Sequence, residues 1–270
     1  MHDWFDTVIP GLSGSGPCHV MDGDLPGEQW FGQSRSELLS ASDGQLHTVV
    51  PGRPIGLHPP SVAALAAQGI HLHFYGDFTH GLWREWIDTC QRLAPGYLHL
   101  HATVDQANWV REFSRYDAGW LHAFESRNGG EIRRADWDDL NYPARMATLA
   151  CAGLPMIQRA NPGASVATQT LRKRLGVGVF FDSLEQLGAL LRDHDTLGAV
   201  RGRVWQERGL FTFEHHAPGL VDFFRTVIGH ASRSGLAATV RLPAAPLAPL
   251  AAAPRPAVRP GQPDRPPEAA

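Results

Sequence analysis

The stretch Asp136-Trp137-Asp138-Asp139-Leu140-Asn141-Tyr142-Pro143-Ala144-Arg145-Met146-Ala147-Thr148-Leu149-Ala150-Cys151-Ala152-Gly153-Leu154-Pro155-Met156-Ile157 reads as a polar loop, a helix and a strand in succession. Asp and Asn residues precede Pro143, whose fixed φ suits a first helical turn, and Gly153 marks the stop. Met146, Leu149 and Ala150 recur at helical spacing and form the stripe that faces a core. Leu154–Gln158 then reads as a strand, so the segment is one link of a strand–helix alternation.

The same alternation extends in both directions. Upstream, strands are expected at Gln45–Val50, Ile70–Tyr75, Tyr97–Ala102 and Asp117–His122. Between them lie helices at Ser61–Gln68 (capped by Ser61), Trp83–Leu93 and Asp105–Tyr116 (capped by Asp105). Downstream, a helix at Ser165–Leu175, a strand at Val177–Phe181 and helices at Ser183–Asp193 and Leu197–Ile228 complete the pattern. Strands alternating with helices require parallel crossovers. The expected fold is therefore α/β: a single doubly wound, Rossmann-like parallel sheet of about six strands, flanked by helices, with C-terminal helices and a disordered tail.

Three segments divide the chain. Residues 1–43 are rich in Gly, Ser and Pro, hold at most a strand at Cys18–Met21 and a helix at Glu28–Leu39, and read as an extension or the remnant of an interdomain segment. Residues 44–230 are the Rossmann-like domain. Residues 231–270 are a Pro/Ala-rich tail: Pro243–Ala270 holds nine of the 21 prolines, too many for a helix or a ladder.

In such a sheet, ligands sit beyond the carboxyl ends of the strands. After the first strand comes Val50-Pro51-Gly52-Arg53-Pro54-Ile55-Gly56, where Gly52 allows close backbone approach and Arg53 offers a planar donor fork suited to a diphosphate. The same fragment also reads as a Pro/Gly turn with a solvated arginine, and it is not the GxGxxG of a dinucleotide site. After the fourth strand comes a long polar loop. In it Glu125 could accept from ribose or sugar hydroxyls and Arg127 and Asn128 could donate to phosphate, or the loop is a surface excursion. The helix that starts at Pro143 aims free N–H groups at the same edge, with Arg145 one turn in.

With those residues in view, the segment Asp136–Ile157 resembles the signature of the GT-B glycosyltransferases, GT4-like in texture, and specifically their C-terminal donor-binding domain. In that family a polar loop, an Asn or Pro, a basic residue and an "AxGxP-apolar-apolar" turn follow one another. The likeness runs from about Gln45 to Ile228. It implies that Gly52 and Arg53 stand at the "GR" phosphate loop, and that Glu125, Arg127, Asn128, Asp139, Asn141 and Arg145 fall where the donor nucleotide and sugar are held. Two departures stand out. The paired glutamates of many relatives are replaced by Leu140 and Thr148, and the lysine partner of the phosphate-binding arginine is absent, which leaves Arg145 as the better anion ligand.

Composition narrows the classes further. With a formal charge of −3 no basic field points to nucleic acid or an anionic membrane. Lys173 is the only lysine, so an anion site must use arginine or backbone N–H groups. Cys18, Cys90 and Cys151 form no CxxC pair, which argues against a zinc ribbon or a disulfide framework and fits the cytoplasm. No signal peptide or transmembrane segment is expected.

His71-Leu72-His73 and His99-Leu100-His101 each put two imidazoles on one strand face, but nothing completes a metal site around them. Asp22-Gly23-Asp24 matches the DxD of metal-dependent transferases but precedes the whole sheet, and reads as a turn. No metal and no cofactor are expected.

Three functions stay open. The first is a glycosyltransferase donor half that moves a sugar from a nucleotide-sugar co-substrate to an unknown acceptor. It would lack an acceptor domain, so that the chain is a fragment, a truncated frame or the partner of a separate acceptor-domain subunit. The second is a catalytically silent nucleotide-sugar-binding or interaction module. The third, an epimerase or dehydrogenase, is disfavoured by the missing glycine loop.

Overall fold

The computed structural model describes residues 2–9, 11, 16–22, 24–32, 34–76, 78, 81 and 83–233, with backbone alone at 230–233. The six expected strands are present: β1 (Leu46–Pro51), β2 (Ile70–Tyr75), β3 (Leu98–His101), β4 (Ala118–Trp120), β5 (Met156–Arg159) and β6 (Gly178–Phe181). They form one sheet in the order β3-β2-β1-β4-β5-β6, and every pairing is parallel. The expected α/β, doubly wound class is therefore the observed one.

The period-2 alternation of each strand divides the core. One face carries Leu46, Val50, Leu72, Phe74, Leu98, Trp120, Ile157 and Phe181. Helices α3 (Pro59–Ala66), α4 (Arg84–Leu93) and α9 (Leu184–Arg192) cover it. The opposite face carries Val49, Tyr75, Leu121 and Met156. It meets α5 (Trp109–Phe113), α7 (Arg145–Cys151) and α10 (His194–Glu207). Thr48 is a polar residue in this core and is satisfied twice, donating to the His71 carbonyl (3.0 Å) and accepting from Trp120 Nε1 (3.0 Å).

Helix α7 owes its place to two glycines. At Gly119 of β4 a Cβ would lie 2.2 Å from Leu149 Cδ2, so any larger residue would force the Leu149 side chain to shift where the helix seats against the sheet. Gly153 (φ 69°) ends the helix in a Schellman motif: its own N–H donates to Ala150 O (2.9 Å) and that of Leu154 to Leu149 O (2.9 Å).

Several expected bounds shift. Helix α3 begins at Pro59, ahead of Ser61, because Pro59 and Pro60 preset φ for the first turn. The helix expected over Asp105–Tyr116 is a 3-10 turn (Gln106–Asn108) followed by the five-residue α5, and Asp105 makes no side-chain cap. The single helix expected over Leu197–Ile228 is α10, a 3-10 turn (Arg208–Phe211) and α11 (Phe213–Arg233). It breaks where the Thr212 hydroxyl binds the Gly209 carbonyl (2.8 Å) instead of extending the ladder. Residues 18–21 are not a strand, and of the helix expected at Glu28–Leu39 only the 3-10 turn Glu28–Phe31 is observed among the described residues. Among the described residues two short α-helices precede β1: α1 (His2–Val8) and α2 (Ser40–Asp43).

Contacts divide the chain into two units, Met1–Ile228 and Gly229–Ala270. The N-terminal stretch thus belongs to the same unit as the sheet. It is tied there by Phe213 N–H donating to Pro26 O (3.0 Å), by Glu28 N–H donating to the Glu214 carboxylate (2.7 Å), and by Phe31 packed with Val110 and Cys151. Helix α11 runs to Arg233, three residues into the tail expected at 231–270, and residues 234–270 lie outside the described residues.

Candidate functional site

All six strands point their carboxyl ends to one edge, and there a cavity of about 400 Å³ opens between the turn after β1 and the segment leading into α7. Its size falls in the range of small-molecule sites. Pro51, Gly52 and Arg53 form one wall, and Asn141, Tyr142 and Arg145 the other, with His122 beside them. The turn needs glycine at 52, where φ is 90°, and Gly52 N–H donates to Tyr75 O (2.8 Å) to fix its course. At Gly56 a Cβ would stand 2.5 Å from the Ala123 carbonyl group, so the loops after β1 and β4 touch only because that side chain is missing.

Arg145 dominates the electrostatics. It is only 8% exposed, its Nη2 donates to the Arg53 carbonyl, and its Nη1 is buried with no hydrogen-bond partner. Burial, and then the charge of Arg53, brings the guanidinium down to about 10. His122 is buried, with Nδ1 3.5 Å from Asp138 Oδ1. Burial together with the charges of Arg145 and Arg53 pushes its imidazole down to about 4, so it is neutral at pH 7. The Asp138 carboxyl is pushed upward by burial and by its neighbours Asp136 and Asp139.

Asp138 and Asp139 lie in the four-residue helix α6 (Trp137–Leu140), which a capping box fixes. Asp139 N–H donates to Asp136 Oδ1 (3.1 Å) and Asp136 N–H to Asp139 Oδ2 (3.1 Å). Among large side chains Trp137 is unusually open, 66% exposed at the cavity mouth. The cavity thus brings together two guanidinium groups, one of them desolvated, a neutral imidazole, the Asp24 carboxylate and an aromatic rim.

Of the residues singled out in the sequence, Gly52, Arg53, Asn141 and Arg145 come together in this cavity. Asp139 is buried behind it in the capping box. The other three lie elsewhere. Glu125 is exposed and 3.7 Å from Arg159, and Arg127 is exposed. Asn128 is buried and staples its loop, donating to Ser165 O (2.9 Å) and accepting from Gly130 N–H (2.9 Å) and Ser165 N–H (3.0 Å). That use of Asn128 is structural.

His122, Asp138, Tyr142 and Trp137 join the site beyond the residues expected from the sequence, where their only signal is a position at a carboxyl strand end and in the segment leading into α7. Asp24 also lines the cavity, and its N–H donates to Asp22 Oδ1 (3.1 Å), which makes the expected turn. Among the described residues no group of three or more His, Cys, Asp or Glu is placed to hold a metal ion. Among them, too, no helix is long and apolar enough to cross a membrane.

Fold and cavity together define a Rossmann-like α/β domain with a cationic pocket at its carboxyl edge. No protein-family model matches the chain, and no curated protein does. Among solved structures it is similar to AviGT4, a glycosyltransferase involved in avilamycin A biosynthesis, at 14% identity and a TM-score of 0.46. That match covers 79% of this chain and 57% of AviGT4, so the chain spans little more than half of that protein's length. It is also similar to the C-terminal CMP-Kdo binding domain of WaaA from Acinetobacter baumannii, at 13% identity and a TM-score of 0.37, over 66% of this chain and 93% of that domain. Likeness this distant transfers no residue role.

Proposed function

We propose that the chain is the donor-binding half of a glycosyltransferase and that the cavity between Arg53 and Arg145 takes the diphosphate of a nucleotide-sugar. The observation that carries this reading is Arg145, a cavity-lining guanidinium that is only 8% exposed, with Nη1 unpartnered and Arg53 lining the same cavity. Such a group is costly unless an anion meets it. Trp137 at the rim offers a face for the base. In sugar transfer the acceptor oxygen bonds to the anomeric carbon and yields its proton to a base on the acceptor side, the bond from that carbon to the diphosphate breaks, and negative charge builds on the leaving group where the guanidinium groups stand.

The nucleotide-sugar is a co-substrate, and the reading calls for no resident metal or cofactor. The acceptor is unknown, and its site is assigned to another domain or subunit. The cysteines are free, which suits the reducing cytoplasm, where we place the protein.

A second reading, a silent nucleotide-sugar-binding module, is favoured by the uncharged Leu140 and Thr148 where the resemblance calls for glutamates. Calorimetry with UDP, GDP, ADP and dTDP decides between them. Binding of at least one, lost in Arg145→Ala, supports the donor site, and no heat with any of them sinks it. Binding without transfer to any acceptor, even with an acceptor-domain partner supplied, selects the silent module.

A further inference from the structure

Five histidines, away from the cavity, form a continuous ladder across β1, β2 and β3. His47 is in register with His71, and His73 with His99, and the rings stack with centroids 4.6 Å and 4.4 Å apart. Diagonal hydrogen bonds join the stacks. His47 Nδ1 is 2.9 Å from His73 Nε2, His73 Nδ1 is 2.9 Å from His101 Nε2, and His71 Nδ1 is 2.9 Å from His99 Nε2. Each run ends on an acceptor: His47 Nε2 lies 3.0 Å from Asp43 Oδ2, and His71 Nε2 lies 2.9 Å from Gln45 Oε1.

Those ends fix the protons. A carboxylate or an amide oxygen only accepts, so His47 and His71 carry hydrogen on Nε2 and accept at Nδ1. The same choice then propagates to His73, His99 and His101. Five neutral Nε2–H tautomers satisfy all five bonds. A proton added to His47, His71 or His73 must go to an Nδ1 that already accepts, which turns that bond into two opposed donors. Only His99 and His101, on the edge strand, have an Nδ1 outside the ladder.

The surroundings offset added charge only in part: Glu112 favours protonated His101, and Asp43 and the Gly96 backbone favour protonated His71, but burial outweighs them. Around the rings stand Asp43 from α2, Asp117 at the start of β4, Glu112 from α5, Arg115 just after it, and Tyr75, Tyr97 and Tyr116. Asp117 is already engaged by His47 N–H (2.7 Å) and the Ser40 hydroxyl (2.6 Å), and Glu112 by the Tyr75 hydroxyl and Arg115. Asp43 lies at the far end from β3. The lone pairs of the rings point along N–H···N lines and do not converge on a metal position.

We propose that this imidazole ladder is an acid-sensitive latch, which holds the edge strand β3 on the sheet while all five rings are neutral and releases it when two or more are protonated. Burial, followed by the charge of the neighbouring rings, takes His73 down from 6.5 to about 2. Burial also lowers His71, His99 and His101. Because the folded-state values lie below 6.5, the stabilisation is complete above that pH and is lost as the pH falls beneath it. The latch reaches the candidate site through the backbone, since Gly76 N–H binds His101 O (3.1 Å) and Gly52 N–H binds Tyr75 O (2.8 Å).

Hydrogen exchange on the full chain, corrected for intrinsic rates and compared at about pH 7.5 and about pH 5.5, tests the latch. The expected result is a loss of protection of about tenfold or more in residues 70–75 and 98–101, with residues 156–159 and 178–181 changing much less. The variant His99→Gln/His101→Gln keeps a side-chain donor to His71 and His73 but cannot take the first protons, and should hold β3 at the lower pH. Carbon-13 imidazole NMR gives an independent reading that needs no variant. Ring titration below pH 6.5 in step with loss of β3 protection supports the latch. Uniform loss across the sheet, titration near 6.5 with β3 still protected, or stoichiometric zinc binding that stops ring titration would overturn it.

Discussion

Arg145 carries a stability cost and, on the proposed reading, a binding role, and the two should separate on substitution. Removing an unpaired buried charge while keeping the aliphatic stem relieves a desolvation penalty. Arg145→Met should therefore leave the thermal midpoint of the unliganded protein unchanged or raised, while nucleotide affinity falls by about tenfold or more; differential scanning fluorimetry with and without ligand checks both. His122 supplies the pH dependence of the same site. Its value of about 4 reflects burial and the two arginines, so a bound anion that offsets their charge raises it and draws in a proton. Affinity should be flat around neutrality and rise as the pH falls toward that value. Isothermal titration in buffers of different ionisation heat should show proton uptake, and none in His122→Gln. Glu125 and Arg127, both exposed, should tolerate alanine with little change in either reading.

At the level of the elements, the sequence made the alternation legible because strand and helix periods differ, and because Pro143 and Gly153 punctuate the deciding segment. Gly153 is the sharpest test. Alanine there must adopt φ near 69° and push its Cβ to 2.6 Å from the Trp205 ring. Gly153→Ala and Gly119→Ala should each cost about 2–4 kcal/mol in urea denaturation, more than propensity alone predicts. The sequence hid what depends on distant partners. Nothing near Asn128 announces that it braces Ser165, and nothing at Gln106–Phe113 says that the helix will be only a few residues long. The site was legible in half. Arg53 and Arg145 follow from charge and position at strand ends, whereas the desolvation of Arg145 and its meeting with His122 depend on tertiary packing. The histidine pairs were visible as HxH, but their joining into one ladder needed the register of three strands.

For the whole molecule, the thiols report integrity. Cys90 and Cys151 are buried, and burial pushes each thiol up to about 12, whereas Cys18 is exposed. In the folded protein a disulfide reagent should label Cys18 rapidly and the other two only after denaturation, and early labelling of Cys151 would mean that α7 is not seated. The strand order has a mechanical corollary. Strands β1–β3 and β4–β6 are two consecutive blocks of chain, and the sheet joins them along one seam, where Thr48 faces Ala118 and Val49 faces Gly119. The cavity straddles that seam, with Gly52 and Arg53 on one block and His122 and Arg145 on the other. On the proposed reading, an anion held between the two arginines would be a rivet across that seam. Pulling the blocks apart in a force spectrometer would break the seam at higher load when the pocket is filled.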